Sequence, residues 1–104
     1  MPGIDFHMLR QEITMQQVLD LIGFQPTGRH GSQLRGPCPV HGSSSLRSRS
    51  LSVNLAVGRY HCHKCGSQGN PLELWAAIKQ VSLYNASIDL CRALGRDVPW
   101  IERW

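Results

Sequence analysis

Cys38-Pro39-Val40-His41 and Cys62-His63-Lys64-Cys65 are two hooks of metal-ligating side chains with 20 residues between them. Two residues between ligands let a tight turn aim both side chains at one ion, and two such pairs about 15 to 20 residues apart form a zinc pattern. Gly36, Pro37, Gly42 and Gly66 flank the hooks, where the chain must turn sharply. Three thiolates and one imidazole complete a tetrahedron with no open position, which suits a structural ion and not a catalytic one. One structural Zn2+ is therefore the expected cofactor, held by Cys38, His41, Cys62 and Cys65. His61 and His63 are nearer than His41 to the second hook and remain alternative nitrogen donors. Two disulfides would leave His41 idle and need an oxidising compartment. A thioredoxin-like use of Cys62 and Cys65 needs a βαβ setting, which the sequence does not offer, and an iron–sulfur cluster favours four thiolates. Cys91 falls in a helical stretch and reads as a small buried apolar residue. His7 and His30 read as solvated.

The elements that must position these hooks are few, because the chain has 104 residues and a mass of 11.7 kDa. That is one domain's worth of chain, with 41% hydrophobic and 7% aromatic residues to build a modest core. Residues 28–69 hold seven of the ten glycines and few large apolar side chains, so the metal is expected to be needed for folding. Three zones follow: a helical arm over residues 1–25 that packs on the rest, a ribbon domain with C-terminal helices over residues 26–95, and a tail over residues 96–104. Thr14 with Gln17 makes a capping box, Met15, Val18, Leu19 and Ile22 fall on one helical face, and Gly23 ends the run. Asn70-Pro71-Leu72-Glu73 opens a second helix, with Leu72, Trp75, Ala76 and Ile78 on its inner side. A third begins after Ser82 and stops at Gly95, with Ala86, Ile88, Leu90, Cys91 and Leu94 facing inward. Between them, Ser50 to Asn54 alternates as a half-buried strand, Arg59 to Cys62 pairs with it across a short Leu55–Gly58 connection, and Gln33 to Arg35 adds a third strand. The fold class is α+β: a small zinc-ribbon antiparallel sheet flanked by helices.

Charge is unevenly placed. No acidic residue lies between Asp20 and Glu73, whereas that interval carries Arg29, Arg35, Arg47, Arg49, Arg59 and Lys64. Ordinary surfaces intersperse both signs, so an acid-free basic sheet reads as a phosphate-binding surface. Arginine's planar fork suits phosphate, and Tyr60 and His61 offer rings for base stacking. The expected nucleic-acid contacts are Arg35, Arg47, Arg49, Arg59, Tyr60, His61 and Lys64. No run of 18 apolar residues is present, so no membrane helix is expected. Met1 to Arg10 lacks the basic-then-apolar signal pattern, and a cytoplasmic location is the expectation.

Cys38-Pro39-Val40-His41, the strand at Ser50-Leu51-Ser52-Val53, the run Tyr60-His61-Cys62-His63-Lys64-Cys65-Gly66 and Gly69-Asn70 opening a helix together resemble the N-terminal zinc-binding domain of bacterial DnaG-type primases. The likeness covers residues 14–95. It implies a zinc ribbon with Cys38, His41, Cys62 and Cys65 as ligands, and recognition of single-stranded template DNA beside a separate polymerase domain. Two departures stand out: a longer Ser/Arg loop with Leu51 where the family has Phe, and Asn70 in place of Asp. The resemblance also implies a magnesium-binding acidic cluster in the polymerase domain, and the seven acids of this sequence show no such motif. The expected function is a non-enzymatic, single-stranded-DNA-binding zinc module of replication, working with a primase, polymerase or helicase partner. The competing expectation is a zinc-stapled protein–protein adaptor, motivated by Trp75, Trp100 and Trp104.

Overall fold

The computed structural model describes residues 3–40 and 49–101. The chain runs β1 (Gly3–Ile4), α1 (Phe6–Glu12), α2 (Met15–Ile22), β2 (Gly28–His30), β3 (Gln33–Gly36), β4 (Leu51–Asn54), β5 (Arg59–Cys62), β6 (Gln68–Gly69), α3 (Pro71–Lys79), α4 (Leu83–Ala93) and β7 (Trp100–Ile101). Strands β2 to β6 form one antiparallel sheet in sequence order, as expected of consecutive short strands joined by tight turns. The turn after β4 is Leu55 to Gly58. There the Asn54 side chain accepts the Ala56 N–H at 3.0 Å, and Gly58 takes a φ of 67°, which a side chain would oppose.

Helix boundaries obey their capping chemistry. The Thr14 hydroxyl accepts the Gln17 N–H at 3.2 Å while the Gln17 side chain accepts the Thr14 N–H at 2.8 Å. Asn70 and Glu73 make the same reciprocal pair at the head of α3, and Ser82 caps α4. Thr14→Ala is expected to cost about 1 kcal/mol in a urea unfolding experiment. A cost below roughly a few tenths of a kcal/mol would mean that the cap is not what starts α2.

The sheet's period of two sends Leu34, Leu51, Val53, Tyr60 and Cys62 to one buried face. They join one apolar cluster with Leu9, Val18 and Leu19 of the arm, Leu72, Leu74 and Trp75 of α3, and Leu90 of α4. Helix α3 is buried on a wider face than its sequence suggests. It meets β5 and β6, α2 and α4, so Leu74 is fully buried although it falls off the expected stripe. In α4, Ala86, Leu90 and Cys91 are buried as expected, with Ile88 and Leu94 partly so. The Trp75 indole donates to the Asp89 carboxylate at 2.8 Å, locking α3 to α4.

Five elements escape the sequence reading. Helix α1 is capped by Asp5, whose carboxylate accepts the Met8 N–H at 3.1 Å. The two-residue strands β1 and β7 pair with each other, Ile4 opposite Trp100 and Gly3 opposite Ile101, so the tail folds back onto the arm. The edge strands β2 and β6 have two or three residues each, too short to show alternation.

Candidate metal centre and nucleic-acid interface

Cys38 follows the end of β3 and Cys62 ends β5, two positions that the sheet brings together on its buried side. After Cys62 the chain turns tightly: the Gly66 N–H reaches the Cys62 carbonyl at 3.0 Å, and the Cys62 N–H reaches the Ser67 carbonyl at 2.8 Å. This turn returns Cys65 to the same point. The Sγ atoms of Cys38, Cys62 and Cys65 lie within 4.8 Å of one another, and those of Cys38 and Cys65 are 3.9 Å apart. A disulfide would need about 2.05 Å. A tetrahedron of sulfurs bound at about 2.3 Å has edges of about 3.8 Å, so the spacing fits zinc.

One of the donors, Cys62, is also in the right protonation chemistry. Burial alone would push the Cys62 thiol up. The backbone N–H groups of Cys65 and Lys64 and the neighbouring Cys65 and Cys38 side chains outweigh it and bring the thiol down to about 6. The Cys65 N–H points at the Cys62 sulfur at 3.3 Å. These are the amides that soften a thiolate's charge in a zinc knuckle, and a thiolate is the form a metal requires. Among the described residues the cluster consists of these three cysteines, and neither His61 nor His63 joins it. Those two rings are exposed and pack edge to face on each other, with centroids 4.5 Å apart. His41 lies outside the described residues. Cys91 is fully buried in α4, away from the cluster, and burial raises its thiol above the ordinary value.

The opposite face of the sheet is the candidate interface. Arg35, Ser52, His61 and Gln68 stand side by side across β3 to β6, with Asn54 and Arg59 in the next row. The Arg35 guanidinium is partly committed. It donates from Nε at 3.1 Å and from Nη2 at 2.5 Å to the Arg49 carbonyl, fixing the segment that leads into β4. Arg49 then lies over β2, where Gly28 leaves room for it: a Cβ there would come within 2.7 Å of the Arg49 guanidinium. Since Gly28 pairs with Arg35, Arg49 shares the face of Arg35 and His61. Arg59, His61 and Lys64 are exposed, and Arg47 lies outside the described residues.

Tyr60 is a correction to the expected stacking surface. It is 3% exposed, faces the core opposite Val53 and Gly69, and its hydroxyl is 2.8 Å from the Ser67 hydroxyl. The alternation that puts His61 outward must put Tyr60 inward. Burial accordingly pushes its phenol above the ordinary range, against a smaller pull from the Ser67 hydrogen bond. Ser52 and Gln68 were not singled out in the sequence, although the register set by His61 places both beside it.

A short-stranded antiparallel sheet carrying two cysteine-bearing hooks, with helices packed on one face, defines a zinc-ribbon domain. The chain belongs to the CHC2 zinc-finger family, whose profile matches residues 4–103, and its cofactor is one structural zinc ion. It is similar to the DNA primase of Lactococcus lactis subsp. lactis (strain IL1403), at 29% identity over 96 residues, or 91% of this chain and 15% of that protein. It is also similar to the DNA primase of Helicobacter pylori (strain ATCC 700392 / 26695), at 36% identity over 58 residues, or 56% of this chain and 10% of that protein. The fold matches the crystal structure of the Aquifex aeolicus primase (zinc binding and RNA polymerase domains) with a TM-score of 0.71 and 23% identity, covering 92% of this chain and 23% of that one. The chain thus spans between a tenth and a quarter of the primases it resembles. Among the described residues, no helix is long and apolar enough to cross a membrane.

Proposed function

We propose that these 104 residues are a DNA-binding module of primase type that recognises single-stranded DNA in replication and leaves polymerisation to a primase, polymerase or helicase partner. Zinc, held by Cys38, His41, Cys62 and Cys65, acts as a staple and takes no part in chemistry. The observation that carries the reading is the outer face of the sheet: Arg59 and His61 stand exposed on β5, Arg49 lies exposed over β2, and the five strands contain no carboxylate. Arg35 acts mainly by holding Arg49 in place, and Lys64 projects from the knuckle beside the metal. A reducing cytoplasm, in which the thiols stay available to zinc, is part of the same reading.

The test is a salt titration of oligonucleotide binding, followed by fluorescence anisotropy with zinc-loaded protein. With about three to five phosphate contacts the log–log slope is expected near −2 to −3.5, at about −0.7 per phosphate. Arg49→Ala should flatten it by about 0.7. No binding at low salt would overturn this reading and favour the adaptor. The adaptor has its own supporting observation, two exposed aromatic rings, Tyr84 and Trp100, with centroids 6.1 Å apart.

A further inference from the structure

Between the arm and the β4–β5 turn lies a cleft of about 340 Å³ that is separate from the zinc centre and shares only Arg59 with the outer-face residues named above. Its lining mixes apolar and polar groups: Leu55 and Val57 of the turn form the accessible apolar wall, Met15 at the head of α2 is buried, and Thr14 and Asn70 add polar side chains. Val57 is 66% exposed, the most exposed large apolar residue among those described. Two guanidinium groups, Arg10 from the last turn of α1 and Arg59 from the start of β5, line the same cleft, and Gln11 adds an amide. No carboxylate appears among the described residues that line it. Ligand sites are typically concave and mostly apolar, with a few convergent polar groups. Here those groups are two cations facing an apolar wall, which matches a phosphate joined to a flat, weakly polar ring. Arg59 also ends the outer row of the sheet, so the cleft continues the basic face around the tip of the hairpin.

We infer that this cleft binds one nucleotide unit, its phosphate between Arg10 and Arg59 and its base against Leu55 and Val57. The inference deepens the nucleic-acid reading by adding a pocket for an unstacked nucleotide to a face that grips backbone. The unit can come from a bound strand or from a free nucleotide, which share this chemistry.

Zinc-loaded full chain labelled with 15N is titrated with an oligothymidylate, with thymidine monophosphate and with inorganic phosphate. Amide shifts in residues 10–15 and 55–59 are followed, and anisotropy is measured for the wild type, Arg10→Ala and Val57→Asp. Both substituted side chains are exposed and outside the core cluster, and zinc content verifies folding. The expected result is that cleft amides shift with the oligonucleotide, and that each variant weakens its binding roughly tenfold. Shifts with thymidine monophosphate as well add the free nucleotide as a source, and their absence restricts the source to the strand. Equal shifts at equal affinity with inorganic phosphate would reduce the cleft to an anion site and overturn the inference. Silent cleft amides with unchanged variants would also overturn it, while binding that still depends on Arg49 would leave the outer-face reading standing. Monophosphate binding in the cleft without oligonucleotide binding would do the reverse. Arg59, common to both surfaces, is left unmutated.

Discussion

Chelation of zinc is expected to abolish the five-stranded sheet, and Cys62→Ser or Cys38→Ser to do the same. The strands are two to four residues long, and their inner face offers little beyond Leu34, Leu51, Val53 and Tyr60. Small sheets of this size are marginal without further support. A structural zinc contributes on the order of 10 kcal/mol in finger peptides, comparable with the roughly 5–15 kcal/mol net stability of a whole domain. Cys38 and Cys62 are themselves in the core, so a serine there also buries a hydroxyl that has lost its metal. Atomic absorption should find one zinc per chain in the wild type and none in these variants. Their amide spectra should collapse for residues 28–69. A metal-free protein with a dispersed wild-type spectrum would show that the staple is dispensable. Cys91→Ser should retain one zinc, since Cys91 lies in α4 outside the sulfur cluster. His41→Ala should weaken zinc binding if the imidazole is the fourth donor, whereas His61→Ala should not.

Tyr60→Ala is expected to destabilise the domain by about 3–5 kcal/mol, the range for emptying a large aromatic site in a core. Tyr60→Phe should cost only about 0.5–1.5 kcal/mol, the net worth of the bond to Ser67. Tyr60→Leu keeps most of the apolar volume but removes the ring, and it separates packing from stacking. In its folded, zinc-loaded state it should bind oligonucleotide as tightly as the wild type. A loss of tenfold or more in that variant would mean that the ring reaches a base after all. His61→Ala is the complementary probe. Its ring is exposed on the outer face, so stability should hold while affinity falls, with about 1–3 kcal/mol at stake if a base stacks there.

Much of the site is legible in residue types because the constraints are local. The hooks at Cys38 and Cys62-x-x-Cys65 name their metal by spacing, since a two-residue turn and a soft thiolate suffice to select zinc. The Thr14–Gln17 and Asn70–Glu73 boxes announce their helices for the same reason, each being closed within four residues. The acid-free interval from residue 21 to residue 72 is visible in composition alone.

What the sequence could not decide depends on partners distant along the chain. Whether His61 or Tyr60 meets solvent is a question of register, because alternation says only that they point apart. Packing of α3 against the sheet's inner face settles that Tyr60 goes inside. Arg35 and Arg49 look equivalent as residues, yet only the folded chain brings the Arg49 carbonyl onto the Arg35 guanidinium and clears a place for Arg49 over Gly28. The β1–β7 ribbon carries no sequence signal, because two residues cannot display a period and its partners are nearly a chain length apart. The cleft between Arg10 and Arg59 is likewise a product of the tertiary fold. The arm contributes one cation and the hairpin the other, and only the folded chain brings them to one cavity.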